Sequence, residues 1–120
     1  MFVSHPDYPD QNTHLLYLGY WRTMDRRYTR DKRPHPSEWV DEKWDPDERA
    51  VVFQHLTHGH TLYQWLGSST CRLCGLRPNG NRCLTDGVYG WPEGLAHYVE
   101  EHGLKPPEAF VRHALRCATI

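Results

Sequence analysis

The chain carries almost no net charge. Its 120 residues hold 14 Lys and Arg against 15 Asp and Glu, a formal charge of −1, so the whole molecule has no field that would draw it to nucleic acid or an anionic membrane. Any such attraction must come from a local patch. Long apolar runs are also missing, and none approaches the roughly 18 residues of a membrane span. The opening residues, MFVSHPDYPDQNTH, lack the basic-then-apolar order of a signal peptide, so a cytoplasmic location and no membrane partner are expected. Enzyme signatures are absent as well: there is no glycine-rich phosphate loop, no nucleophile elbow and no His-Glu-x-x-His pair.

Aliphatic content is modest and aromatic content is not. The apolar fraction is 38%, but five Trp, seven Tyr and three Phe supply large buried area per side chain, enough to expect one aromatic-rich core in a single domain. Residues 1–14, polar and with two prolines, read as an irregular arm, and 15–120 as the domain. Leu15 to Trp21 reads as a buried strand or a short helix, with the strand favoured. Asp45-Pro46-Asp47-Glu48 has the order of a helix start, with Asp45 as N-cap, Pro46 at the first helical position and Glu48 placed for a capping box. This predicts a helix from Pro46 to about Thr57, ended by a left-handed Gly59. A strand over Thr61–Leu66, a hairpin centred on Asp86-Gly87, a helix from Trp91 to His102 stopped by Gly103, and a last helix starting near Pro106-Pro107-Glu108 follow.

Chemistry concentrates in cysteine and histidine. Without an export signal, the four cysteines should stay reduced, and Cys71-Arg72-Leu73-Cys74-Gly75 reads as a zinc knuckle, two thiolates able to reach one ion. His97 and His102, with four residues between them on a helix after a hairpin, are the expected second half. An offset of five turns a helix by about 500°, leaving the side chains roughly 140° apart, so the helix end must adjust near Gly103. The order resembles a two-Cys two-His finger with a lengthened middle, and predicts a zinc-stapled α+β domain of short antiparallel strands with three to four helices. Cys83 and His113 remain open as replacements for a histidine, and Cys83 and Cys117 otherwise read as free thiols. Redox use of Cys71 and Cys74 fits poorly, because Gly75, Pro78 and Gly80 follow where a helix would be needed.

Other candidates are local. His55, His58 and His60 around Gly59 have the makings of a second metal or acid–base group, though histidines at a helix end ordinarily bond to its last carbonyls. Residues 22–33 hold six bases against two acids, a local +4, and 38–49 hold six acids against two bases, a local −4. Arg22, Arg26, Arg27, Tyr28 and Arg30 would suit nucleic acid through phosphate contacts and one stacked base. Compensation between the two segments competes with that reading.

The segments LGYWR (Leu18 to Arg22), WDPDER (Trp44 to Arg49), CRLCG (Cys71 to Gly75), NG (Asn79, Gly80), LTDGVY (Leu84 to Tyr89) and WPEGLAHYVEEHG (Trp91 to Gly103) together resemble a family of small bacterial zinc-finger-like proteins. The resemblance runs from about residue 15 to residue 116. It implies a bacterial or phage origin and the order of zinc ligands, and no reaction. Members of that family carry an acidic or small residue where Cys83 stands, which makes Cys83 an optional ligand.

The expected function is a zinc-stabilised protein-interaction module, with Trp21, Trp39 and Trp44 as possible anchors and a regulator, inhibitor or immunity-type role in a bacterial or phage conflict system as its setting. A nucleic-acid-binding protein using 22–33 is the alternative. A zinc-dependent hydrolase with Glu93, Glu100 or Glu101 as base is the weaker one, because four ligands leave no open position.

Overall fold

The computed structural model describes residues 15–21 and 34–118. The arm at 1–14 and the basic segment with Arg22, Arg26, Arg27, Tyr28 and Arg30 lie outside the described residues. The elements run β1 (Leu16–Tyr17), a 3-10 turn (Pro36–Trp39), α1 (Pro46–Thr57), β2 (His60–Gln64), β3 (Arg82–Thr85), β4 (Tyr89–Pro92), α2 (Leu95–His102) and α3 (Glu108–Ala118). The class is α+β, with a four-stranded sheet in the order β1-β4-β3-β2. No helix among the described residues is long and apolar enough to cross a membrane.

Local chemistry explains the start of α1. Asp45 accepts the Glu48 N–H at 3.4 Å, Pro46 opens the first turn, and Asp47 and Glu48 face the helix dipole. The expected capping box does not close. Glu48 instead accepts the indole N–H of the buried Trp44 at 2.8 Å, a donor that would otherwise be stranded inside. Val52 and Leu56, four residues apart, form the buried stripe of α1. The helix ends at His58, and Gly59 is not left-handed. Its glycine is required by space, since a Cβ there would lie 2.7 Å from the Trp91 ring and 3.0 Å from Leu84.

The Asp86-Gly87 hairpin forms as expected and pairs β3 with β4 antiparallel, matching Leu84 to Trp91. Trp91 and Pro92 complete β4, so α2 begins only at Leu95. β1 runs parallel to β4, against the expectation of antiparallel pairing alone, and only Leu16 and Tyr17 of the predicted strand are extended in the sheet.

Alternation along β3 sends neighbours to opposite faces of the sheet. Leu84 joins Trp91, Leu56, Val52, Leu95, Val99, Phe110 and Val111 in the main core between sheet and helices. Cys83 joins Leu15, Tyr17 and Tyr20 in a smaller cluster, covered by Leu62, Tyr63 and Trp65. Trp21 and Trp44 are buried in the main core and Trp39 is half-buried against it, so these tryptophans do not supply exposed anchors.

The end of α2 is tied down by backbone pairing. Gly103 takes the left-handed conformation at φ 65°, the Gly103 and Leu104 N–H groups both return to the Tyr98 carbonyl, and Val40 bridges Leu104. Asp41 N–H and Lys105 N–H complete this clasp on the Gly103 and Trp39 carbonyls.

Candidate metal centre

Cys71 and Cys74 sit on a tight loop. The Gly75 N–H bonds the Cys71 carbonyl and the Cys71 N–H bonds the Leu76 carbonyl, each at 2.9 Å, while the Leu73 N–H points to Cys71 Sγ at 3.4 Å. Gly75, at φ 79°, makes the reversal possible without Cβ strain. Because no helix starts behind these cysteines, the geometry of a redox Cys-x-x-Cys is missing.

The loop faces α2. Cys71 Sγ lies 3.5 Å from His102 Nε2 and Cys74 Sγ lies 3.4 Å from His97 Nε2, and the four ligating atoms all fall within 4.8 Å of one another. These four residues lie close enough to hold a metal ion. The 140° offset between His97 and His102 is closed at the helix terminus. His102 is the last helical residue, and both rings offer Nε2, the nitrogen farthest from the backbone, with ring centroids 5.1 Å apart.

The loop is also held from below. Tyr98, between the two histidines and almost fully buried, accepts the Arg72 N–H on its hydroxyl at 2.8 Å. Burial, followed by the adjacent His102, lowers the pKa of His97 and so favours the neutral imidazole that can ligate. Cys71 is buried, His97 and His102 are half-buried and Cys74 is exposed. The cluster is thus inside on one edge and near solvent on the other.

The reserve ligands go elsewhere. Cys83 is fully buried in the small cluster on the other side of the sheet, where the Tyr20 hydroxyl donates to its sulfur at 3.0 Å and burial pushes its thiol pKa up. His113 bonds Asp86 and does not reach the knuckle. The His55, His58 and His60 group also disperses: His58 Nδ1 bonds the Gln54 carbonyl at the helix end, His60 is exposed on β2, and His55 turns to Asp86.

The proposed hydrolytic bases are not poised at the cluster. Glu93 is held by Arg82, whose Nε donates at 2.8 Å, and also accepts the Asn81 N–H at 3.0 Å; Glu100 and Glu101 are exposed on α2. What sequence reading missed is the convergence of His55, Asp86 and His113. Asp86 was legible only as a turn residue, and no spacing rule links positions 55, 86 and 113.

Among known proteins, no family model matches this chain, and neither a curated protein nor a solved structure matches it.

Proposed function

We propose that this is a zinc-stapled protein-interaction module. One observation carries the metal half of the reading. Zinc bonds of about 2.3 Å to sulfur and 2.0 Å to nitrogen at a tetrahedral angle separate a sulfur and a nitrogen ligand by about 3.5 Å. The two Cys–His pairs stand at 3.5 and 3.4 Å. Two thiolates with two imidazoles also favour zinc over harder cations such as magnesium or calcium. Four protein ligands would close the coordination shell, which fits a structural role better than hydrolysis.

The interaction half rests on the surface beside the knuckle. Leu66 is fully exposed, and with Trp65 and Tyr20 it lines a cleft of about 460 Å³ floored by Leu95 and Tyr98. An apolar side chain left wholly in water beside an aromatic cleft suits an apolar segment of a protein partner. The metal would act on this surface indirectly, by holding the knuckle against Tyr98.

Metal analysis by mass spectrometry of the purified protein, with Cys71→Ala and His97→Ala, tests the first half. Zinc should be present in the wild type and lost from both variants; zinc retained in both would end the reading. For the second half, tagged protein should retain a partner from extracts of its host in repeated captures, and Leu66→Asp should lose that partner. A partner held equally by the variant would exclude this cleft.

A further inference from the structure

Three elements deliver ligating atoms to a second point. α1 contributes His55, the β3–β4 turn contributes Asp86, and α3 contributes His113 and, one helical turn on, Cys117. His55 Nε2 and His113 Nε2 lie 2.7 and 2.8 Å from the same oxygen, Asp86 Oδ2. Cys117 Sγ is 3.8 Å from His113 Nε2, and the ligating atoms of His55, His113 and Cys117 fall within 4.8 Å of one another.

The group is firmly held. Asp86 Oδ1 accepts the Val88 and Tyr89 N–H groups at 2.9 and 2.8 Å, so the turn fixes the carboxylate and leaves Oδ2 facing the imidazoles. The His55 ring packs against Trp91 and Phe110, each at 5.8 Å, and the His113 ring against Tyr89 at 4.9 Å. The side chains of His55, Asp86 and His113 are 14, 12 and 17% exposed. So much polar surface withdrawn from water requires partners.

Two chemistries compete for this arrangement. In a thiol–imidazole–carboxylate relay, the carboxylate and the thiol address opposite nitrogens of the ring. Here Asp86 and Cys117 both address Nε2 of His113, so the relay geometry is absent. Two imidazole nitrogens turned to one carboxylate oxygen, with a thiol whose sulfur lies within 4.8 Å of both imidazole donors, are instead the donor types of a zinc-like cation.

We propose that His55, Asp86 and His113, with Cys117 as fourth donor, form a second site for a divalent transition metal such as Zn2+. The 2.7 and 2.8 Å separations are hydrogen-bond lengths, below the roughly 3.3 Å edge between nitrogen and oxygen ligands about 2.0 Å from a tetrahedral ion. Ring N–H groups face the carboxylate here, and binding an ion would move each imidazole nitrogen and Asp86 Oδ2 apart by about half an ångström. To ligate, each ring carries its proton on Nδ1 and Cys117 releases its thiol proton. A cavity of about 550 Å³ along α1 and the end of α3 borders His55 and Cys117 and provides the approach for the ion.

Metal-depleted full-length protein titrated with Co2+ and then Zn2+ tests this. Two equivalents should bind per chain. Cys74→Ser should remove one, and His113→Gln should remove the other. Cys117→Ser, at the exposed end of α3, should weaken the second equivalent about tenfold and abolish its thiolate-to-cobalt charge-transfer band. A wild type that binds only the equivalent lost in Cys74→Ser, or a second equivalent unaltered by His113→Gln, overturns the site. If His113→Gln does not fold, an unchanged second equivalent in Cys117→Ser does so alone.

Discussion

The Tyr98 hydroxyl accepts the Arg72 N–H at 2.8 Å, which joins the middle of α2 to the middle of the Cys-x-x-Cys loop. The loop carries Cys71 and Cys74, and the helix carries His97 and His102, one residue before and four after this tyrosine. This hydrogen bond therefore ties together the two halves of the candidate metal centre.

Tyr98→Phe should leave the fold intact and loosen the centre. The lost bond is expected to cost about 1 kcal/mol of stability, and removal of a group that orients ligands should lower zinc affinity about tenfold. Chelator competition and thermal unfolding, run in parallel, measure the two effects. An unchanged affinity would show that the loop positions its sulfurs without α2.

Metal removal should destabilise the domain by several kcal/mol, since binding free energy at a structural site is folding free energy. Hydrogen exchange should rise first at Arg72, Leu73 and Gly75 and at the end of α2. Chelated protein that melts at the same temperature as untreated protein would contradict this.

Glu93 predicts a pH dependence. The Arg82 hydrogen bond, opposed by burial and aided by the Asn81 N–H, lowers its carboxyl pKa. The folded value lies below the unfolded one of about 4.3, so the stabilisation is fully present above that pH and is lost as pH falls towards the folded value. Glu93→Gln should therefore reduce stability at pH 7, and the gap to wild type should shrink below about pH 4. Denaturant titrations across pH 3 to 7 give the comparison.

Trp91 is fully buried, meets Phe110 edge-to-face and donates its indole N–H to the Leu56 carbonyl at 3.2 Å. Trp91→Ala should cost about 3–5 kcal/mol through cavity formation. Gly59→Ala, which drives a methyl group into the same ring, should cost about 1–3 kcal/mol. Because both changes act on one contact, the double variant should be less destabilised than the two losses added together.

Cys83 should resist alkylation in the native protein, since it is fully buried and its thiol pKa is raised by burial. Mass spectrometry after brief labelling should find it modified only under conditions that unfold the sheet. Early modification would mean that the small cluster opens on its own.

Where interactions are local, the chain could be read directly. Asp45 and Pro46 started α1, Asp86-Gly87 turned the hairpin and Gly103 stopped α2, because each pattern acts within a few residues of itself; the Cys71 and Cys74 pair faces His97 and His102 across more than twenty residues, and was legible because each half has a ligand spacing of its own. Where distant segments meet without such a spacing to announce them, the same reading failed. Gly59 looked like a helix stop although Trp91 and Leu84 dictate it. Trp91 fitted a helix start and became a strand because Leu84 offered pairing. His55, Asp86 and His113 came together only when α1, the hairpin turn and α3 packed on one core. Spacing along the chain encodes turns, caps and candidate ligand pairs, whereas burial and the meeting of remote side chains depend on which surfaces exclude water together.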